Sequence, residues 1–407
     1  LTANGVCGAD ERLPCRNFLG IQHVAQPKGF AFARLRRMGA GQIARERIGF
    51  GMILPSVLRI RAVSIIAATV ALGFATASSW GETATVGLAP SQRVPAPTDV
   101  EPPLGDALSV EAVNNAEFFD SRASRTSAVV LKAQILLDRA GFSPGAISAG
   151  RSDNFRKALA AFQIRQGLGP TGKLDQATWD ALVATAAEPV VAEYEITQTD
   201  TKGPFAPDIP DEIEDWARLK RLSYRGPREL LAEKFHMDAR LLAALNPEAA
   251  FDQPGTRILV AKVGRPAART TVTRIEVDKQ QRRLRAYDKD GNLVAAFPAS
   301  VGSAEKPTPK GAFVVRSVAR NPEWRYNPRF AFKEIKTNRA FRVAAGPNNP
   351  LGTVWIGINK PSYGIHGTPD PEEVGTSASH GCVRLTNWDV QTLAKMVKRG
   401  TKVEFIE

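Results

Sequence analysis

The chain has 407 residues, of which 43% are hydrophobic and 23% charged, and its 54 Lys+Arg against 41 Asp+Glu leave a net charge of +13. That length and apolar content exclude a disordered or fibrous chain and suffice for two or three compact units. The positive charge does not form an Arg/Lys stripe with interleaved aromatics, so it gives no reason to expect a nucleic-acid partner.

Residues 1–51 open at Leu1, hold Cys7, Cys15 and the basic run Arg34, Arg36, Arg37, and show no sustained periodicity. They read as a disordered upstream extension. At Met52 the character changes. Arg59 and Arg61 lead into an apolar run from Ala62 to Phe74, and Ala75-Thr76-Ala77 offers a small-residue cleavage site. Together these make residues 52–77 a secretory signal peptide, so the protein is expected to be exported to the periplasm or cell envelope. The apolar run is shorter than the ~20 residues that span a bilayer, so membrane contact is expected only through this segment. Residues 1–77 carry ten Lys/Arg and three Asp/Glu, so their removal leaves 13 − 7 = +6. A weakly basic exported protein suits an anionic wall polymer or an outer leaflet equally well, and charge alone does not decide between them. Past residue 77 the one remaining cysteine is Cys382. In an oxidising compartment it has no intrachain partner, which leaves it as a small buried apolar residue or a working nucleophile.

Pro90, Pro95, Pro97, Pro102 and Pro103 mark residues 78–126 as an extended linker. Residues 127–185 follow as three short helices. Val129, Ala133, Leu136 and Ala140 share one face, and Phe155, Leu159 and Phe162 share another before a stop at Gly167. Asp175 caps the third helix, which carries Trp179 and Leu182. With Leu131-Lys132-Ala133-Gln134, Ala160-Ala161-Phe162-Gln163 and Gly172-Lys173-Leu174-Asp175, this stretch resembles the peptidoglycan-binding-1 module. Residues 194–260 read as two helices, Glu229–His236 and Leu241–Leu245, closed by a turn and a strand at Gly255–Val260. The pattern is similar to a LysM glycan-binding motif, distorted by an acidic insertion around Asp208 to Asp215. His236 sits among helical apolar positions and reads as a structural histidine. From Thr271 the period shifts toward two, with turn signals at Asp290-Gly291-Asn292, Pro307 to Gly311 and Gly346 to Pro350. Residues 271–407 are therefore expected to form an antiparallel, mainly-β domain. Its late helix is capped by Asn387 with a Val390, Leu393, Val397 face, and a closing strand follows. The fold class is multidomain: a small α-helical module, a small α+β LysM-like module and a C-terminal mainly-β domain.

The chemistry concentrates near the end. His366-Gly367-Thr368 precedes Ser379-His380-Gly381-Cys382-Val383-Arg384-Leu385, so 17 positions hold two of the four histidines and one of the three cysteines. A thiol with an ordinary pKa near 8.5 needs a base or a cation beside it to act as a nucleophile at neutral pH. His380, two residues before Cys382, lies on the same side of an extended segment but cannot easily curl onto the sulfur. His366, arriving from another strand or loop, is the preferred base, with His380 shaping the site. No Asp or Glu stands in an obvious orienting position, so the Gly367 carbonyl is the expected partner of the second ring nitrogen. Gly381 lets backbone N–H groups around Cys382 face a developing oxyanion. Arg384 could hold a substrate carboxylate. Three zinc ligands are a weaker reading, because no C-x-x-C or H-x-x-x-H spacing and no fourth ligand accompany them.

These two motifs, with Pro298 to Gly302, Pro309-Lys310-Gly311, Gly346 to Gly352 and Tyr363-Gly364-Ile365, resemble the signature of the L,D-transpeptidase catalytic domain over about Val272 to Glu407. The resemblance implies metal- and cofactor-free cysteine acyl transfer. Cys382 would attack the diaminopimelate carbonyl of a stem tetrapeptide and expel the terminal D-alanine. The thioester would then pass to an amine on a second stem, giving a 3→3 cross-link. His366 fits the base and Gly367 its carbonyl partner, with His380 and Gly381 completing the catalytic set. Arg384, Ser379, Tyr363, Thr368 and Trp324 are the expected substrate-binding positions, with Trp324, Tyr326 and Phe330 in a substrate-covering loop from Asn321 to Lys336. The expected partners are peptidoglycan stem peptides and glycan strands, with a wall-linked lipoprotein as another acceptor. Two other functions use the same residues differently. One is a hydrolase on the same scaffold that trims stems or releases wall-linked protein, and the other is a wall-binding protein with a vestigial site.

Overall fold

The computed structural model describes residues 108–118, 128–185, 188–264, 270–330 and 332–407. The extension at 1–51, the signal segment at 52–77 and most of the Pro-rich stretch lie outside the described residues. Among the described residues no helix is long and apolar enough to cross a membrane.

Side-chain caps start the first helices. Ser109 accepts the Ala112 N–H at the start of α1 (Val110–Asn114). After α2 (Ala128–Arg139), Ser152 accepts from Phe155 to open α3 (Asp153–Arg165), and Asp175 accepts from Thr178 to open α4 (Gln176–Val183). Each cap satisfies an orphan N–H of a first turn. The three expected helices are present, and Gly167 closes α3 at φ +71°. α1 is an addition inside the 78–126 stretch read as a linker. Its Val113 is fully buried, and its Asn114 side chain accepts the Val190 and Val191 N–H groups.

The middle module contains β1 (Val191–Glu195), α5 (Gln198–Lys202), a 3-10 helix at Ile213–Arg218, α6 (Pro227–Lys234), α7 (Ala239–Leu245) and β2 (Arg257–Ala261). β1 and β2 pair antiparallel from Val191↔Ala261 to Glu195↔Arg257. Between the units expected at 127–185 and 194–260, Val190 and Val191 are buried. They belong to a single core that joins Leu131, Leu136 and Phe162 of the first module to Leu231, Leu242 and Ile258 of the second. The first two modules are therefore one packed body, not beads on a flexible string.

The C-terminal domain contributes β3 (Arg274–Asp278), β4 (Arg283–Tyr287), β5 (Leu293–Pro298), β6 (Gly311–Arg320), β7 (Trp324–Tyr326), β8 (Phe341–Val343), β9 (Val354–Ile358), β10 (Gly364–His366), β11 (Val383–Arg384), α8 (Asn387–Met396) and β12 (Lys402–Ile406). Eight of these strands form one sheet in the order β11-β10-β9-β6-β12-β3-β4-β5, and β7 pairs with β8 apart from it. The sheet is not wholly antiparallel. β12 runs parallel to β3, and β10 runs parallel to β11. Ile275, Val277, Leu284, Ile356, Ile365 and Val383 form its core together with Val390 and Leu393 of α8. The cap of α8 is Thr386, whose hydroxyl accepts the Asp389 N–H, and the helix stops at Met396 before Val397. Asn387 does not cap because its side chain points inward, to an end described below.

Both modules dock on this domain, the first on β5 and a loop, the second on the loop between β8 and β9. Ala296 exchanges backbone hydrogen bonds with Gly141 and Ser143 (3.0 and 2.9 Å). Asn154 donates to the Val374 carbonyl at 2.7 Å. Leu222 N–H donates to Ala345 and Asn348 N–H donates to Leu222 (3.1 and 3.0 Å). Gly346 makes this last approach possible, since a Cβ there would fall 1.9 Å from the Leu222 oxygen.

Candidate active site

Strand alternation sorts the motif residues into two groups. In β10 and β11, Ile365 and Val383 pair and enter the core. His366 pairs with Arg384 on the opposite face, which also carries Cys382 just before β11. Extending the parallel register sets Cys382 beside Gly364, so its Cα and that of His366 lie about 8 Å apart on a diagonal of one face. Side chains of imidazole and thiol length can bridge that gap. Cys382, His366 and Arg384 all line one cleft of about 890 Å³, together with Trp324, Tyr363, Ser379 and His380.

His366 is buried, at 5% exposure, and stacks on Trp355 of β9 with ring centroids 5.7 Å apart. Its Nδ1 lies 2.7 Å from the Gly367 carbonyl. A carbonyl only accepts, so Nδ1 carries the proton and Nε2 keeps a free lone pair. Burial, with added repulsion from Arg384, pulls this imidazole down to about 3, against the opposing Gly367 bond. The ring is neutral at neutral pH. Burial pushes the Cys382 thiol up, opposed by the Gly364 backbone N–H and by Arg384, both of which favour the thiolate. The thiol reaches the Ser362 carbonyl at 3.6 Å. The resting pair is therefore thiol and imidazole, not thiolate and imidazolium, and the proton must move as the sulfur attacks.

The segment before the nucleophile is not extended. It bends at Gly381, where φ is +108° and a Cβ would crowd Tyr363. The Gly381 N–H donates to Ser379 Oγ at 3.2 Å, so it is not itself free to face an oxyanion. Its role is to form the turn that presents the Cys382 backbone. The Ser379 hydroxyl in turn donates to the Cys382 carbonyl. Ser379, expected to bind substrate, thus braces the nucleophile turn from a buried position at the cleft wall. The bend also turns His380 away from the simple i, i+2 geometry. Its Nε2 lies 3.2 Å from Glu334, its Nδ1 lies 3.3 Å from Arg384 Nη2, and its ring packs 4.6 Å from Phe332. Because guanidinium only donates, Nδ1 accepts and Nε2–H donates to Glu334. Thr368 is a correction of another kind. It is buried, its hydroxyl accepts the Asp370 N–H at 3.3 Å, and it is not among the residues lining the cleft. Trp324 does line it, stacked on Phe332 with centroids 6.3 Å apart and packed edge-on against Phe341.

Comparison with known proteins bears directly on this geometry. Residues 272–405 match the L,D-transpeptidase catalytic domain family (YkuD), and residues 126–182 match a peptidoglycan binding domain family (PG_binding_1). The chain is 33% identical over 177 residues to a Bacillus licheniformis protein named as the L,D-transpeptidase YkuD, an alignment covering 43% of this chain and 90% of that protein. The chain belongs to the L,D-transpeptidase family. A protein of Escherichia coli K12 named as the L,D-transpeptidase ErfK/SrfK is 35% identical over 136 residues, covering 33% of this chain and 44% of its own length. The chain thus spans less than half of that relative. The NMR structure of the catalytic domain of the Enterococcus faecium L,D-transpeptidase is 23% identical, at a TM-score of 0.26, covering 34% of this chain and 99% of that one.

For this family member, the sequence pattern did not reveal what stands behind the Gly367 carbonyl. The Asn387 side chain fills a notch between two glycines, where a Cβ on Gly352 or Gly367 would fall 2.1 or 2.2 Å from its Oδ1. Oδ1 accepts from the Thr353 N–H at 3.0 Å, and Nδ2 donates to Pro347 O at 3.2 Å and to both oxygens of Glu233 at 3.1 Å. Glu233 lies on α6 of the middle module and also accepts from the Tyr224 hydroxyl at 3.1 Å. Burial pushes its carboxyl up to about 8, against the hydrogen bonds of Asn387 and Tyr224. One missed side chain therefore ties the middle module to the backbone that orients the histidine. The only signal for it was a polar residue at a helix start, and that reads first as a cap.

His236 is structural, as expected, and it joins three modules. Its Nδ1 lies 3.0 Å from Asp138 of α2, and its ring stacks on Trp388 of α8 at 5.2 Å. Burial opposes its charge, but Asp138 overcomes this and raises its pKa. Beside it, Asp389 accepts from the Ser143 hydroxyl at 2.9 Å and is pushed up to about 7 by burial and by the nearby Asp138.

Proposed function

We propose that this protein is a cysteine L,D-transpeptidase that forms 3→3 cross-links in peptidoglycan, or attaches protein to it, through a thioacyl-enzyme on Cys382. The observation that carries the reading is the oriented imidazole. His366 is held by Gly367 through Nδ1, which leaves Nε2 as the acceptor, and His366 lines the same cleft as Cys382.

Cys382 Sγ attacks the carbonyl carbon of the diaminopimelate residue while its proton passes to His366 Nε2. The carbonyl electrons move onto oxygen, and the Cys382 N–H, presented by the Gly381 turn, is the proposed donor to that oxyanion. Collapse restores the carbonyl and breaks the C–N bond to D-alanine, whose nitrogen takes the proton from the imidazolium. An imidazolium whose neutral form is so strongly favoured gives up its proton readily, so the low His366 pKa suits this second transfer. In the return half, an acceptor amine adds to the thioester, His366 takes its proton, and the sulfur leaves as the thiol. Arg384 stabilises the sulfur anion as it develops and offers a guanidinium to a substrate carboxylate. Tyr363 and Trp324 supply walls, Ser379 braces the nucleophile turn, His380 links Arg384 to Glu334, and Thr368 holds the Asp370 N–H outside the cleft.

The same reading extends to the rest of the chain. The matched peptidoglycan-binding module, fixed against the catalytic domain through Asn154 and Ser143, would hold glycan in a set orientation to the cleft. We propose glycan contact for residues 194–260 as well, supported by their two helices closed by β2. Export through residues 52–77 to the periplasm or envelope belongs to the same proposal.

Incubating the purified protein with disaccharide-tetrapeptide and reading products by mass tests it. Dimers that have lost one alanine support cross-linking. Tripeptide alone would make the protein a hydrolase on the same scaffold. Unchanged substrate would leave a wall-binding protein with a vestigial site.

A further inference from the structure

Among the described residues, the cleft has one wall residue from outside the catalytic domain. Its lining runs through residues 305–384 with a single exception, Ile213 of the middle module. Ile213 begins the 3-10 helix Ile213–Arg218 inside the acidic insertion that interrupts the LysM-like pattern. The helix packs on β8, the strand that pairs with the cleft-lining β7.

Three bonds fix this contact. Glu214 Oε1 accepts the backbone N–H groups of Lys336 and Thr337, the latter at 3.1 Å. Glu212 pairs with Lys336 Nζ at 2.7 Å. Within the insertion, the Trp216 indole donates to the Pro210 carbonyl at 2.7 Å. A few residues on, Leu222 is bonded on both sides to Ala345 and Asn348. The chain from Glu212 to Leu222 is therefore tied down at two points against the segment from Lys336 to Asn348. It meets that segment where Trp324, Tyr326, Phe332 and Phe341 stack together over the cleft.

We propose that Ile213 is a specificity-determining contact for the donor stem peptide, and that Glu214 is a positioning residue that fixes the aromatic wall through the Lys336 and Thr337 amides. The chemistry at this wall is apolar. Ile213, Ile335, Leu351 and Trp324 share the lining, while Glu305, Glu323 and Glu334 line it as well. Each of these carboxylates is already paired, with Lys333, Arg342 and His380 in turn, so what the wall offers is an apolar face for the aliphatic length of a peptide side chain. The proposal rests on the reading of the cleft as the donor site.

Thioacylation of the full chain by disaccharide-tetrapeptide, followed by intact mass over a range of donor concentrations, separates the two questions. Ile213→Ala is expected to raise KM roughly fivefold and Ile213→Glu tenfold or more, with kcat within about twofold of the parent, because an apolar contact shared by ground and transition states is lost. Glu214→Ala is expected to raise KM similarly. Glu214→Gln, which keeps an acceptor oxygen for both amides, should restore most of the loss. An unchanged KM in the Ile213 variants of a parent that does acylate overturns this inference and leaves the transpeptidase reading intact. A parent that never acylates overturns the transpeptidase reading instead. If Ile213→Glu does not fold, Ile213→Cys in a Cys382→Ser background gives a second measure. Saturating tetrapeptide should slow alkylation at position 213 several-fold, and an equal rate with and without peptide overturns the contact.

Discussion

The cleft face of the catalytic sheet and the junction behind it are built in opposite ways. On the cleft face, His366, Gly367, Ser379, Gly381, Cys382 and Arg384 come from one short stretch and two adjacent strands. Behind it, Asn387 reaches Glu233 across 154 residues, and Asp389 reaches Ser143 across 246. The front supplies reactive groups, and the back holds ionisable groups that do no chemistry but fix the backbone under the histidine. The contrast suggests that catalytic competence in this chain depends on packing between modules as well as on the motif.

The front should fail outright when its sulfur is removed. Cys382→Ala is expected to abolish thioacylation, a loss on the order of 10⁴-fold or more, read by intact mass after incubation with donor peptide. The protein should keep its thermal transition, since the substitution removes one small atom whose hydrogen bond, to the Ser362 carbonyl, is long at 3.6 Å. A variant that still forms the adduct would move the nucleophile elsewhere.

The next largest effect separates the buried His366 from an ordinary imidazole. A base near 6.5 would be about 3% neutral at pH 5 against about 76% at pH 7, costing roughly 25-fold in acylation rate between them. With His366 pulled down to about 3, its neutral form persists to pH 5, so the acylation rate should be nearly flat over that range. A steep acid limb centred near 6.5 would show that the ring is more open to water than its 5% exposure suggests.

Much of this front was legible because scarcity and spacing carry information. Two histidines and one cysteine within 17 positions, set among glycines, needed no tertiary knowledge. The three helices of the first module were legible for a similar reason, since Val129, Leu136, Phe155 and Phe162 recur at helical spacing and all enter the core. What could not be read depends on partners distant in sequence. Asn387 looked like a cap because local rules score a polar residue at a helix start, and only the docked α6 gives its amide a partner. The parallel β10–β11 and β12–β3 pairs were invisible because strand direction leaves no mark on alternation. The acidic insertion looked like damage to a repeat pattern, although its Glu212 and Glu214 bind the opposite domain.

Asn387→Ala tests whether the back supports the front. It removes the amide between Glu233 and the glycine notch, leaving the Glu233 oxygens and the Thr353 N–H without that partner, at a cost of about 2–4 kcal/mol. Acylation should fall roughly tenfold as the Gly367 carbonyl loosens its hold on His366. The joint loss is the point. A variant less stable but equally fast, compared well below its unfolding transition, would uncouple the two regions.

The smallest effect concerns Glu233 alone, and its sign is fixed by linkage. Burial pushes its carboxyl up to about 8, so between the ordinary carboxylate range and pH 8 the unfolded chain releases a proton that the folded chain keeps. The unfolded state then binds fewer protons, and stability falls as pH rises through that window, by at most about 1.4 kcal/mol per pH unit from this one group. Below the ordinary range both states are protonated and the contribution is whole. Glu233→Gln keeps an oxygen for the Asn387 amide and has no proton to lose, so it should remove this slope. Its melting temperature should exceed that of the parent by a few degrees near pH 8 and converge with it near pH 5. Urea or thermal melts at three pH values are enough to see it. If the parent shows no more alkaline sensitivity than Glu233→Gln, then Glu233 is ionised in the fold, and the Asn387 and Tyr224 hydrogen bonds outweigh its burial. The junction would then be held by a charge-assisted bond to the amide that supports His366, and Asn387→Ala should cost toward the upper end of its range.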